Sequence, residues 1–578
     1  MHNHIIAKTE TCCIRRLNIK ISDENYLDLL INNEFAKGLQ ETYDLTFIND
    51  RYSVLHAPAN EFLMCLLGKQ PYSIFPHIYT LNSTFSLEKS SVKSFQYNPN
   101  FSLFGQGVLI GFVDTGIDYQ HPAFLYNDGS TRIHSIWDQT ITDGTPPENF
   151  TFGSEYKKDS INMALIENDP FSIVPTRDDN GHGTMLAGIA AGSPDLGEDF
   201  SGVASKAELV IVKLKQAKPY NRQIFCVRND IDCYLETDIM LGIEYLRSVA
   251  LKLDRPIVIC IGVGSSQGEH NGMGGLPAYL NNLASYHGMS ICIAAGNEGN
   301  HHRHYYGSFD TTDYNKSFEL RIDQSDPDFF FELWNHSPYR LAISISSPLG
   351  ENTQIIHPKL DECREFKFIY GATTLYINNI ILEEESGMQL ILVRFKNAIS
   401  GLWNIKVTSM DKHESAFNVW LPSGPIITTN TYFLEASADI TVTNPGNANH
   451  PLTVTAYNQF NDSILIEASR GFSASGLPIP DIAAPGFQLT CPLPDQAYGS
   501  ATGTGAAAAH VAGIQAMIME WAILRGNYTT ITGKDVNNLL IRGAYRNNLL
   551  VYPNQIWGYG QVNVMGSFSQ LSFHRLSL

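Results

Sequence analysis

Four short apolar runs decide what this chain can fold into. "GVLIGFVDTG" (107–116), "ELVIVKLK" (208–215), "PIVICIGVG" (256–264) and "MSICIAAGNEG" (289–299) each end in a polar or glycine turn. Apolar runs of this length, without polar alternation, suit strands covered on both faces, as in a parallel sheet. Helical patterns lie between them, at 182–192, 236–254 and 275–287. In "ETDIMLGIEYLRSVALKLD", Ile239, Ile243, Leu246 and Ala250 recur at helical spacing and the charges fall elsewhere. Strand alternating with helix predicts a doubly wound α/β domain built on a parallel sheet.

The pattern is interrupted and then resumes. Over 307–436 short segments such as "YRLAISISSP", "TTLYINNIILEE", "MQLILVRFKN" and "AFNVWLPS" alternate apolar and polar residues between Pro, Gly, Asn and Asp turns. That is the signature of an antiparallel β sandwich. From 437 to 578 the α/β style returns, with "LTVTAYN", "DIAAPG" and an alanine-rich helix from 505 to about 525. The α/β domain therefore spans 93–306 and 437–578, with an all-β unit inserted. Residues 1–92 read as a separate α+β segment. "RRLNIKIS" and "YDLTFINDRYSVLHAP" are expected as strands and "ENYLDLLINNEFAKGLQ" as a helix, before a polar connector at 82–98.

Composition excludes several classes. A chain of 578 residues exceeds one ordinary core, and 43% apolar content rules out wholesale disorder. Lys+Arg 39 against Asp+Glu 58 gives a net charge of −19, which argues against a nucleic-acid partner. No basic start followed by an apolar run opens the chain, so no signal peptide is expected. No run of 18 apolar residues suggests a membrane span. Nine cysteines, with Cys260 and Cys292 inside apolar runs, are expected as free thiols in a reducing compartment. These features predict an intracellular protein.

In open α/β sheets, ligands bind beyond the carboxyl ends of the strands. Asp114 ends one strand in "FVDTGID", His182 opens a helix after "RDDNG", and Asn297 ends another strand in "AAGNEG". Gly505 opens the alanine-rich helix, so four positions converge on one rim in the order Asp, His, Asn, Gly. "VDTGID", "NGHGTMLAGIAAG", "AAGNEG", "DIAAPG" and "TGTGAAAAHVAG" resemble the signature segments of the subtilisin-like serine proteases, whose triad runs Asp, His, Ser.

The resemblance implies a role for each position. His182 would be the general base, Asp114 would orient its imidazole, and Asn297 would donate an amide N–H to the oxyanion. The family's nucleophilic serine is replaced here by Gly505, so the resemblance implies an inactive enzyme, a pseudoprotease. Neither Thr504, with its side chain turned elsewhere, nor Ser500, in a loop, is expected to replace the serine. Asp114 and His182 would then persist either as structural hydrogen-bond partners or with retained function. "IGVGSSQGEHNG" (261–272) is expected to edge the substrate cleft, with Gly262, Gly264 and Ser265 at its start, or else to be an ordinary loop. No cofactor is expected. His301, His302 and His304 cluster in "GNEGNHHRHYYG", but their spacing fits no usual zinc motif, so no metal is assigned and a solvated loop is expected.

The long insertion, the leading α+β segment and the ending "YPNQIWGYGQVNV" further resemble the Csp germination proteases of clostridial spores. That resemblance implies a prodomain at 1–92, a jelly-roll insertion at 307–436 and a forespore or spore location. Some of that family's members, the CspC and CspA types, lack catalytic residues and regulate germinant signalling. This chain departs from the fully degenerate members in keeping Asp114 and His182, and from active ones at Gly505. The implied partners are a related active protease, a cortex-hydrolase precursor or a peptide substrate, with the chain's own prodomain in its cleft. Without the serine, residues 1 to about 92 are expected to stay attached. Two alternatives stand beside this reading: an endopeptidase that processes a spore-cortex hydrolase precursor, and a cell-wall-binding module carried by the β insertion.

Overall fold

The structure is a computed structural model that describes residues 19–36, 38–40, 42–59, 64–86, 103–360, 362–411 and 413–572. Its centre is a mixed sheet whose strands run in the order Ser463–Ile464, Leu452–Asn458, Met289–Ala294, Ile257–Ile261, Leu109–Asp114, Glu208–Lys213, Ile133–Asp138 and Ser154–Lys157. Ile482–Pro485 also pairs with Leu452–Asn458. The inner pairings are parallel, and the outermost pair at each end of the order is antiparallel. All four runs singled out in the sequence are strands of this sheet.

Their uniform apolarity follows from a core on each face. In Leu109–Asp114, Ile110 and Phe112 enter the cluster that holds the alanines of the helix Thr504–Met519 and most of His182–Ala191. Leu109 and Val113 enter the other cluster, under the helix Glu236–Leu253. Each such apolar side chain, fully buried, contributes about 1.5–3 kcal/mol. The segment Thr504–Leu524, whose most apolar window has a mean hydropathy of 1.4, is long and apolar enough by length and composition to cross a membrane, contrary to expectation. Here 72% of its most apolar window is buried inside the α/β domain, as suits a core helix.

The inserted region folds as two antiparallel sheets. One orders His304–Phe309, Ser415–Trp420, Phe329–Asn335, Gln389–Lys396, Thr374–Ile380 and Cys363–Lys367; the other orders Leu341–Ser346, Gly401–Ser409, Asn315–Ile322 and Tyr432–Phe433. Its core also takes in Leu27, Leu29, Tyr72 and Phe75 from the N-terminal segment and Ile224 and Phe225 from the α/β domain. Glu332, fully buried, accepts from the Tyr72 hydroxyl (2.6 Å), the Trp334 indole (3.0 Å) and the Gly268 N–H (2.9 Å). One carboxylate of the insertion thereby ties the N-terminal segment to the loop after Ile257–Ile261.

The N-terminal segment differs from expectation in two places. Tyr26–Asn32 is a strand, antiparallel to Tyr52–Pro58, and among the described residues of that stretch only Asn33–Ala36 is helical. Leu27, Leu29 and Ile31 face the insertion's core while Leu30 faces the sheet's core, so a strand covered on both sides mimicked a helical apolar run. Ile19–Ile21 is a 3₁₀ turn rather than a strand, and the rest of "RRLNIKIS" before it lies outside the described residues. Asp44–Phe47 and Tyr52–Pro58 pair as a hairpin.

Asp28, on Tyr26–Asn32, is completely buried and meets Lys218 Nζ at 2.7 Å, His56 Nδ1 at 2.7 Å and Lys215 Nζ at 3.8 Å. Burial alone would raise this carboxyl, but the adjacent Lys218 and His56 hold it at about 2.

Cys260 and Cys292 are free, as expected, but another pair departs from the expectation. Cys65 and Cys363 form a disulfide between the N-terminal segment and the insertion, across 298 residues of chain. Cys226, Cys233, Cys260, Cys292 and Cys491 are free and buried; Cys12 and Cys13 lie outside the described residues. Nor are the three histidines a solvated cluster. His304 is buried on a strand, hydrogen-bonded to Asn418 at 2.9 Å and stacked on Trp420, whereas His301 contacts Glu298 at 3.2 Å.

Candidate active site

Asp114 is the last residue of its strand, and His182 is the first of its helix. "DDNGHGT" brings this about locally. Gly181, the N-cap, adopts φ 89°, a left-handed turn that favours glycine, and Asp178, three residues earlier, supplies acceptors to the first turn. The Asp178 carboxylate accepts from the N–H groups of Gly181 (2.8 Å) and Thr184 (2.9 Å) and from the Thr184 hydroxyl (2.7 Å). The result sets His182 Nδ1 2.7 Å from Asp114 Oδ1, with each side chain only 1% exposed. A carboxylate on Nδ1 keeps the proton there and leaves Nε2 as an acceptor.

Asn297 lies at the carboxyl end of Met289–Ala294, facing the start of Thr504–Met519. Its Oδ1 accepts from the Thr504 N–H and the Thr504 hydroxyl, both at 3.1 Å. These bonds aim Nδ2 into the cleft beside the Gly505 N–H. The Thr504 hydroxyl is engaged by Asn297 and also accepts from the Gly296 N–H at 3.1 Å. Ser500 lies on the strand Ala497–Thr502, not in a loop.

The chain itself fills this cleft. Ile78–Leu81 pairs antiparallel with Tyr234–Leu235 on one side and Val263–Gly264 on the other. Beyond it, Thr84–Ser86 pairs antiparallel with the strand carrying Ser500. Gly262 accepts from the Asn82 N–H at 2.9 Å. A Cβ on Gly262 would meet Leu186 at 2.4 Å and the His182 ring at 3.1 Å; one on Gly264 would meet Thr443 at 2.4 Å and the Asn82 amide at 2.6 Å. Ser265 exchanges two backbone hydrogen bonds with Asn444 and forms the wall behind.

Two residues that sequence reasoning placed in a polar connector therefore sit at the centre. The Asn82 carbonyl oxygen accepts from Asn297 Nδ2 and from the Gly505 N–H (3.2 Å). The Ser83 hydroxyl lies 2.9 Å from His182 Nε2. A Cβ built on Gly505 would fall 2.3 Å from Ser83 Oγ and 3.4 Å from Ser83 Cβ, so the Ser83 hydroxyl occupies room that a side chain at 505 would need. The remainder of the connector, 87–98, lies outside the described residues.

The aspartate–histidine pair thus meets a hydroxyl, while an amide and a helix N–H meet the adjoining carbonyl, an arrangement of the kind that acyl transfer by a serine peptidase requires. The subtilase family model matches residues 105–317 and 428–560, leaving out most of the inserted β region. The chain belongs to the subtilase family. It is similar to the solved CspB protease of Clostridium perfringens, with 30% identity over 84% of this chain and 98% of that one, at a TM-score of 0.73. The Arabidopsis thaliana subtilisin-like proteases SBT2.2 and SBT2.3 are 32% and 34% identical over 128 and 131 residues, about a fifth of this chain. Those matches span 15% of each plant protein's length.

Proposed function

We propose that this subtilase no longer cuts other proteins and serves as a binding and signalling scaffold, a pseudoprotease that regulates spore germination. The observation that carries the reading is position 505: His182 with Asp114, Asn297 and the Gly505 N–H surround the Asn82–Ser83 bond, and residue 505 itself has no side chain. In subtilisin, loss of the serine lowers turnover by roughly 10⁶, about 8 kcal/mol of barrier. Occupation of the cleft by residues 78–86 supports the same reading, since an incoming peptide must displace paired strands on both sides of His182. The likeness to the CspB protease supports a place beside a related active protease and a cortex-hydrolase precursor, inside the forespore or spore.

The test is deletion of the gene from a spore-forming host, followed by measurement of cortex-hydrolase precursor processing in its spores. Processing is expected to fall or lose its dependence on germinant. Unchanged processing and germination would overturn the assignment.

A further inference from the structure

We propose that Ser83 is the nucleophile of a single self-cleavage, at its own Asn82–Ser83 peptide bond, through transfer of the acyl group from nitrogen to oxygen. The inference rests on the reading of position 505 as lacking a nucleophile, and it adds an activity which that reading does not include. The geometry supplies the base, the carboxylate that holds it and the donors on the carbonyl. Ser83 Oγ is 2.9 Å from His182 Nε2, and His182 is held by Asp114 at 2.7 Å. The carbonyl that joins Asn82 to Ser83 is already polarised by Asn297 Nδ2 and the Gly505 N–H. The hydroxyl stands within 2.3 Å of where the first side-chain carbon of residue 505 would lie, next to the place from which a subtilase serine attacks. Strand pairing on both flanks fixes the bond in this register.

The steps balance without any group the chain does not hold, apart from water. Ser83 Oγ gives its proton to His182 Nε2 and bonds to the carbonyl carbon of Asn82. The negative charge that develops on the carbonyl oxygen meets the two donors already directed at it. The C–N bond then breaks, and His182 returns the proton to the departing Ser83 nitrogen. An ester now joins the Asn82 carboxyl to the Ser83 hydroxyl within a continuous chain. Water, deprotonated by His182, adds to the ester carbon; the bond from that carbon to Ser83 Oγ then breaks, and His182 returns the proton to Ser83 Oγ. The products are a carboxyl terminus at Asn82 and a free amine and hydroxyl on Ser83.

The disulfide conceals this event. Cys65–Cys363 keeps residues 1–82 joined to the rest after the cut, so a non-reduced sample gains the mass of one water and loses no segment. In a subtilase with serine at 505 the enzyme's own helix supplies the attacking oxygen; here the bond being cut would supply it.

The experiment follows the purified full chain over time by intact mass, after denaturation and reduction with a phosphine. Two masses are expected, for 1–82 and 83–578, with the second chain beginning at Ser83. Hydroxylamine added to the folded protein should hasten their appearance and leave a hydroxamate on Asn82. Ser83→Thr, which keeps a hydroxyl, should still cut. Ser83→Ala should remain one mass while unfolding in urea at the wild-type midpoint. His182→Ala should slow the cut by about 10²–10⁴, the usual worth of a positioned base. A single uncut mass from wild type with and without hydroxylamine overturns the proposal, as does a cut in Ser83→Ala at the wild-type rate. Hydrolysis of added peptides is measured separately; turnover there counts against the scaffold reading and leaves the self-cleavage result standing.

Discussion

Gly505→Ser combined with Ser83→Ala will cut itself between residues 82 and 83 before purification is complete, whereas Ser83→Ala alone will stay whole. The double variant moves the attacking hydroxyl from the bond being cut to the helix that faces it. Everything such a hydroxyl needs is present: His182 Nε2 loses its Ser83 partner and becomes free to take the new proton, and Asn297 with the Gly505 N–H already holds the Asn82 carbonyl. Removal of the subtilisin serine costs roughly 10⁶ in turnover, so its return is expected to gain a factor of that order over the Ser83→Ala parent. Gly505→Ser alone should be slower than the double variant. Its new Cβ lies 2.3 Å from Ser83 Oγ, and two hydroxyls would compete for one base until Ser83 turns away. Reduced intact mass across the three variants, sampled from lysis onward, measures this directly. A double variant that stays whole would mean that the cleft cannot support attack at this bond.

Asp28→Ala will destabilise the docked N-terminal segment by about 3–5 kcal/mol, the usual result when one partner of a buried ion cluster is removed. Asp28 is fully buried, with Lys218 and His56 each at 2.7 Å. Its loss strands the Lys218 ammonium, which is also buried and has the Lys20 carbonyl at 2.7 Å as its other acceptor. The carboxyl sits at about 2 in the fold against an ordinary value of 3.8, so its contribution is complete above pH ~4 and is lost as pH falls through about 2. Urea unfolding at pH 7 should show the lowered midpoint in Asp28→Ala, and limited proteolysis should open residues 20–81 first. An unchanged midpoint would mean that the cluster does not hold the segment.

The α/β sheet was legible because strands buried on both faces leave uninterrupted apolar runs, and the rim followed because functional residues collect at the carboxyl ends of such strands. Asp114, His182, Asn297 and Gly505 each lie inside a short local motif, so one-dimensional reading reached them. Ser83 has no such motif. It is a serine in a polar stretch, 99 residues from the histidine it contacts, and nothing local distinguishes it from a linker residue. The signal that could have found it was the missing hydroxyl itself, which prompts a search for another hydroxyl beyond the motif's immediate neighbours. Tyr26–Asn32 was misread as helix because a strand buried between two cores loses its alternation. The Cys65–Cys363 pair was hidden by its 298-residue separation, since bonding partners cannot be deduced from sequence spacing alone.

The most direct test of the central claim is peptide turnover by the unmodified chain, run beside its His182→Ala variant on a broad mixture of unstructured peptides. Neither protein should hydrolyse any added peptide, because the helix that faces the cleft carries no attacking group and the chain's own residues 78–86 fill it. Hydrolysis by the unmodified chain at an ordinary enzymatic rate, about one per second or faster, and lost in His182→Ala, would contradict the account.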